Sequence, residues 1–351
     1  YKNRRMEFFR WNINNRYKLI MTTYKEIRGT NIETVSSDPS NTVEGQVWYN
    51  TTSDSLKAFG KLAAGTWSTG HQLNSGRRSL ASSGTQTAAL VFGGAIPPVT
   101  GATESYNGSA WTEVNNLNTA RQYLGGDGTQ TSTLAFSGEG PPITAVTELW
   151  NGTNWTEVND LNTARNRVMA AGANNTAALC FGGAGAPGNS ALTELWNGSN
   201  WTEVNDLGAV RYSAGSAGTA TAALTFGGAP PGNPFVVNTE LWNGTNWTEV
   251  NNLSTGRIYL GGCGISTNAL AFGGATNPNP TDTKATEAWN GTNWSNESDL
   301  IFAISGQTGL GVGTAALSVS GGKGGGPFTA NTEEWNGAGS PTTFIFENSP
   351  D

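Results

Sequence analysis

The sequence predicts an all-β chain of repeated four-stranded antiparallel sheets, and three observations carry that prediction. First, Thr-Glu-x-Trp/Tyr-Asn-Gly begins at Thr103, Thr147, Thr193, Thr239, Thr286 and Thr332, with spacings of 44, 46, 46, 47 and 46 residues. Repetition at this period is the mark of an array built from one supersecondary unit. Second, an apolar run ending in small residues recurs between these motifs: AALVFGG at 88–94, TLAFSG at 133–138, AALCFGG at 177–183, AALTFGG at 222–228, ALAFGG at 269–274 and AALSVSGG at 315–322. Third, 48 Gly and 13 Trp with only 13% charged residues describe a turn-dense β protein that can still fill a core. Four strands per unit, arranged radially, give the blade of a β-propeller, in which both faces of every sheet are covered by neighbours.

Along the chain, residues 1–20 (YKNRRMEFFRWNINNRYKLI) stand apart, with six Lys/Arg against Glu7. They lack a signal peptide's apolar core and are too charged to span a membrane. The alternatives are a basic helical arm that docks on a partner and an extension upstream of a start at Met21, and the chain opening on Tyr1 favours the second. Residues 21–44 are polar and include the run SSDPSN at 36–41, a linker or attachment segment. Residues 45–76 hold three short strand-like runs, GQVWYN, SLKAFGK and TWST, and Trp67 matches the second Trp of the later units (Trp111, Trp155, Trp201, Trp247, Trp294). This stretch is expected to form a diverged N-terminal blade or hairpin lacking its first strand. Residues 77–351 are expected to form six full units.

Within a unit, TELWNGTNWTEV at 147–158 reads as a hairpin, because Asn-Gly accepts the positive φ of a tight reversal between two strand-like runs. Period two puts Glu148 and Trp150 on one face and Leu149 on the other, so both faces need a neighbour. The recurring Asn-x-Ser/Thr sequons, among them Asn151, Asn154, Asn197 and Asn200, follow from this turn rather than from glycosylation.

The order Arg, apolar strand ending Gly-Gly, Glu-x-Trp/Tyr, then Trp resembles the kelch repeat, six times from Arg77 to about residue 347. The resemblance implies a kelch-type β-propeller. Seven blades are expected if residues 45–76 complete the ring, and six if they form a separate hairpin. The last unit departs from the pattern: Ile304 replaces the Arg, Val319 the Phe, and Phe344 stands in for the second Trp. A second resemblance covers residues 24–59, whose GQVWYN segment before NGTNW repeats is similar to virion proteins of tailed marine bacteriophages.

Charge and composition exclude several functions. Beyond residue 20 the chain carries 13 Lys/Arg and 25 Asp/Glu, a body that repels nucleic acid. His71 is the only histidine, so no multi-imidazole metal site of the galactose-oxidase kind can form within one chain. The sialidase-type Ser-x-Asp-x-Gly turn is replaced by Asn-Gly-Thr-Asn. Cys180 and Cys263 fall at different positions of different units and read as small buried side chains rather than a disulfide. No cofactor, metal or catalytic residue is expected, and no membrane partner.

Glu104, Glu148, Glu194, Glu240, Glu287 and Glu333 recur once per unit, whereas a catalytic pair would break the symmetry. A carboxylate beside Trp on a buried face needs a cation, and Arg77, Arg121, Arg165, Arg211 and Arg257 recur to meet it. Binding is expected on the face formed by the variable loops between second and third strands, which are rich in proline. Arg78, Tyr123, Arg167, Tyr212 and Tyr259, just after the repeat arginines, and Phe235 in the fourth of these loops would line that face around the central opening. Kelch domains that bind peptides use similar positions. Two alternatives stand: a sugar or peptide surface, and a tyrosine ring that plugs the channel. The expected function is a non-enzymatic virion structural protein presenting loops to a host-surface glycan or protein, or to other virion proteins. The alternative is a kelch-type interaction module of a cytoplasmic or secreted protein.

Overall fold

The structure is a computed structural model that describes residues 11–13, 16–18, 32–40, 46–60, 65–185, 188–232, 234–277, 281–322, 328–337 and 342–346. Among these residues there are only strands, turns and bends. The chain divides into two units: residues 65–337 form one, and residues 1–64 with 338–351 form the other.

The larger unit is a closed ring of six four-stranded sheets. In blade 1 the strands are Ala81–Thr85, Ala88–Phe92, Thr103–Tyr106 and Trp111–Val114, innermost to outermost. Blades 2 to 5 repeat this order, with innermost strands Gly125–Thr129, Met169–Asn174, Gly215–Thr219 and Gly261–Ile265. Blade 6 has Thr308–Val312, Ala315–Gly322 and Phe328–Asn336, and its outermost strand is Thr66–Thr69, from the other end of the ring. Trp335 faces Trp67 across that pairing, as Trp150 faces Trp155 in blade 2. The innermost strands pack in a cycle that returns from blade 6 to blade 1, where Ser82 Oγ lies 2.7 Å from Thr308 Oγ1.

Seven four-stranded sheets are present: six close the ring, the six-bladed alternative, and the seventh belongs to the smaller unit. Residues 45–76 are not one diverged blade: Thr66–Thr69 joins blade 6, while Val47–Asn50 and Ser55–Gly60 belong to the smaller unit. The strand carrying Trp67 has no first-strand partner of its own because it is the missing outer strand of the last unit. Phe344 accordingly does not take the second Trp's place, since Thr342–Phe346 pairs with Ser55–Gly60.

Six hydrophobic clusters fill the six interfaces between blades. Between blades 1 and 2, Leu90 and Phe92 meet Leu124, Ala135, Trp150 and Trp155, all buried. The Phe that ends each second strand packs on the second Trp of the next blade: Phe92 on Trp155 at 4.9 Å between ring centres, Phe136 on Trp201 at 4.9 Å, Phe181 on Trp247 at 4.8 Å, Phe226 on Trp294 at 4.8 Å, and Phe272 on Trp67 at 4.9 Å. Those Trp indoles then donate backwards, as Trp201 Nε1 does to Thr147 Oγ1 at 3.0 Å. The seam from blade 6 to blade 1 breaks the pattern: Val319 replaces the Phe, Trp111 Nε1 donates to the His71 carbonyl, and Thr332 Oγ1 is left buried without a partner. Cys180 and Cys263 are free and buried, and burial pushes both thiols up to about 12.

A second belt runs around the rim of the turns. Asn115, Asn159, Asn205 and Asn251 each donate through Nδ2 to the hairpin turn of the next blade, reaching the Oδ1 atoms of Asn154, Asn200, Asn246 and Asn293 at 2.8–2.9 Å. The turn asparagines are therefore part of the blade-to-blade fastening.

In the smaller unit, Glu33–Val35 pairs in parallel with Val47–Asn50, which pairs with Ser55–Gly60 and through it with Thr342–Phe346. Asp38 organises the sheet, accepting from Trp48 Nε1 at 3.0 Å, Asn50 Nδ2 at 2.7 Å and Lys57 Nζ at 2.8 Å. Trp11–Ile13 and Arg16–Lys18 pair as two antiparallel strands, not as part of a helical arm. The rest of 1–20, and most of 21–44, lie outside the described residues.

Candidate functional site

Each repeat arginine begins the segment that leads into an innermost strand, and it is buried within its own blade. Arg77 meets Glu104 at 2.6 Å, Arg121 meets Glu148 at 3.1 Å, Arg165 meets Glu194 at 2.8 Å, Arg211 meets Glu240 at 2.5 Å, and Arg257 meets Glu287 at 2.8 Å. Each carboxylate also accepts main-chain N–H groups of the segment entering the blade, as Glu148 does from Asn118 and Thr119. The pairs anchor the loop face by fixing the chain just before it reaches the central opening. In blade 6, with Ile304 at the arginine's place, Glu333 is held by the N–H groups of Ile301 and Phe302 at 2.7 and 3.2 Å, and burial raises its pKa against those bonds.

Two residues after the arginine position the chain makes a feature that no residue type announces. Ser79, Tyr123, Arg167, Ser213, Tyr259 and Gly306 all have positive φ, between 52° and 67°. The N–H of each donates to the carbonyl of the equivalent residue in the preceding blade: Tyr123 to Ser79, Arg167 to Tyr123, Ser213 to Arg167, Tyr259 to Ser213, Gly306 to Tyr259, and Ser79 to Gly306, at 2.8–3.0 Å. Six hydrogen bonds thus close a hoop around the opening. Positive φ is costly for five of these six residues, and the closed hoop holds them there.

The hoop decides which expected site residues meet. Tyr123 and Tyr259 come from opposite blades, yet their rings are 6.3 Å apart, so they span the opening. Arg167 stacks on Tyr123, with Cζ 4.7 Å from the ring centre, and lies 5.9 Å from the ring of Tyr212. Burial disfavours its charge, but the Tyr259 and Tyr123 oxygens outweigh that and raise its pKa. Tyr212, Tyr259 and Phe235 pack against Ala229, Ile258 and Ala275. Arg78 and Tyr212 sit one position before the hoop, and Arg78 is not in this cluster: its Cζ lies 5.1 Å over Phe328. The tyrosines are half-buried, so they narrow the channel mouth while keeping a surface in solvent.

Sequence reasoning missed the hoop, Phe328, and a polar group beside Arg167 in which Gln122 Nε2 donates to Glu139 Oε1 at 3.0 Å and Asn166 Nδ2 to its other oxygen. The signal was available as a fixed offset from the repeat arginine, since Gln122, Asn166 and Tyr212 all follow it directly. Behind the mouth runs a central cavity of about 410 Å³, lined by the innermost strands, with Leu80, Leu124, Val168 and Leu260 among its walls. It carries little side-chain chemistry, because these strands are mostly Gly, Ala, Ser and Thr. Asp127 is the charged exception; burial pushes its carboxyl well above the usual range, against N–H groups of Gly128 and Gly172. Among the described residues no group of three or more His, Cys, Asp or Glu is placed to hold a metal ion.

No family model matches the chain, and no curated protein does. Among solved structures, the structure of YjhT matches with a TM-score of 0.66 at 11% sequence identity, covering 78% of this chain and 98% of that one. At that identity the likeness shows the fold alone, a β-propeller.

Proposed function

We propose that this protein is a non-enzymatic virion component whose propeller presents its loop face to a host-surface glycan or protein, or to another virion protein. The observation that carries the binding role is the cluster of Tyr123, Arg167, Tyr212, Tyr259 and Phe235 at the centre of that face, half-buried side chains of which Tyr123, Arg167 and Tyr259 stand on the hoop itself. Aromatic and Arg side chains held in advance lose little freedom when a ligand covers them. The non-enzymatic part is supported by the carboxylates, since the repeat glutamates are engaged in ion pairs or main-chain bonds inside the blades. The virion setting is supported by the resemblance of residues 24–59 to phage virion proteins.

The test is binding of the full chain to whole bacterial cells and to a glycan array, beside a Tyr123→Ala, Tyr212→Ala, Tyr259→Ala triple variant. Binding that the folded variant loses is the expected result. Undiminished binding by the variant, or none by the wild-type chain, would move recognition off this face.

A further inference from the structure

Charge is partitioned in this propeller. Residues 65–337 contain nine Lys/Arg. Five of them, Arg77, Arg121, Arg165, Arg211 and Arg257, are consumed in buried ion pairs. Of the other four, Arg78, Arg167 and Lys284 fall in segments of the loop face, just after an arginine position or in a loop between second and third strands, and Lys323 lies outside the described residues. Of these, Arg78 and Lys284 are exposed and Arg167 is half-buried at the mouth. No carboxylate among the described residues lies within ion-pair distance of Arg167; Glu139, the nearest acid by its influence, is bound instead by Gln122 and Asn166. The acids of the outermost strands, Glu113, Glu157, Glu203 and Glu249, are exposed on the rim of the blades. Among its described residues, the propeller of residues 65–337 therefore directs the cations that form no buried ion pair to one face.

A half-buried guanidinium stacked on a tyrosine, with no carboxylate of the described residues in ion-pair contact, is arranged to receive an anion. The partly exposed rings of Tyr123, Tyr212 and Tyr259 beside it suit the C–H groups of a sugar, and the Gln122–Glu139–Asn166 group offers partners to hydroxyls. We infer that the loop face binds an acidic polysaccharide, with one carboxylate seated on Arg167 and flanking sugar units passing over the tyrosines toward Arg78 or Lys284. This rests on the loop-face reading above and names the ligand class for it.

The test titrates the full chain with an oligogalacturonate and with a neutral oligogalactoside of equal length, at low and at high salt. At low salt the acidic oligomer should bind at least about 10-fold tighter than the neutral one, and salt should erode the difference. Arg167→Gln should weaken the acidic oligomer by about 10-fold or more and leave the neutral one unchanged, while Arg167→Lys keeps part of the preference. An unchanged melting temperature shows that Arg167→Gln is folded; if it is not, Arg78→Gln with Lys284→Gln must still reduce the acidic preference. The inference is overturned if the acidic oligomer binds no tighter than the neutral one, or if its preference survives loss of Arg167. Cell binding that needs the three tyrosines but shows no acidic preference would keep the loop-face role and remove only this ligand.

Discussion

Replacing Glu194 by Gln removes the charge from one buried pair and leaves the side chain's shape. Glu194 Oε1 accepts from Arg165 Nη2 at 2.8 Å, and Oε2 accepts from the main-chain N and Nδ2 of Asn162 at 2.7 and 2.9 Å. All of these partners are donors, so an amide must turn its own NH2 against one of them. Arg165 would keep the carbonyls of Gly182 and Leu192 but lose its counter-charge in a site where both side chains are 1% exposed. Breaking a buried pair from one side costs about 3–5 kcal/mol. At about 2 °C per kcal/mol for a domain of this size, the melting midpoint should fall by about 6–10 °C. Glu333→Gln is the internal control, because no arginine pairs with Glu333, Lys284 acts on it only as the weakest influence, and burial already raises its pKa. Its raised carboxyl favours folding only below the ordinary glutamate range and loses that contribution as pH rises; at pH 7 the amide still turns its NH2 against the N–H of Ile301 or Phe302, so the variant should cost about 1–3 kcal/mol, less than loss of the Glu194 charge. Calorimetric melting of both variants decides the matter. A fall below about 2 °C for Glu194→Gln, or an equal fall for Glu333→Gln, would refute the assignment of blade stability to these pairs.

Two further outcomes are expected. Gly215→Ala should destabilise the ring by about 1–3 kcal/mol in urea melts, because a Cβ there would stand 2.3 Å from Cε2 of Phe226; an unchanged midpoint would mean the innermost strand can move away. In the smaller unit, Lys57, then Asn50 and Trp48, hold the Asp38 carboxyl down at about 2. A depressed carboxylate stabilises above its ordinary value of 3.8 and loses that contribution as pH falls through the folded value, so the Trp48 indole N–H signal should shift with its midpoint near pH 2. A midpoint near 3.8 would show that the three donors do not hold it.

Much of this architecture was legible because repetition multiplies the signal. One Asn-Gly is a weak hint, but its regular recurrence marks the hairpin, which five blades make, and the strands around Trp155, Trp201 and Trp247 lie where the motif places them. The pairing of Arg165 with Glu194 was legible for the same reason: both recur, and burial leaves each needing the other. Blade number was not, because the Trp67 strand carries the local pattern of a fourth strand without saying which third strand it joins. That partner, Phe328–Asn336, lies more than 250 residues away and is chosen by closure of the ring. The hoop at Ser79, Tyr123 and Arg167 was invisible because positive φ is imposed there by neighbouring blades, not by residue type. Tyr123 and Tyr259 each looked like one residue in a circle; that they reach across it depends on a ring of six being narrow.

The strand that completes blade 6 sets a clock on the molecule's birth. Thr66–Thr69 leaves the ribosome early, but Phe328–Asn336 follows some 260 residues later, as the Ser68–Glu334 separation of 266 positions shows. At about 5–20 residues per second the early strand waits on the order of 10 to 50 seconds with Trp67 uncovered. Five blades can stack meanwhile, and by curving round they carry the two ends toward each other, so the last pairing becomes a short-range event rather than a search. Residues 66–69 are therefore the one strand of the ring whose place is held open until the chain is nearly finished.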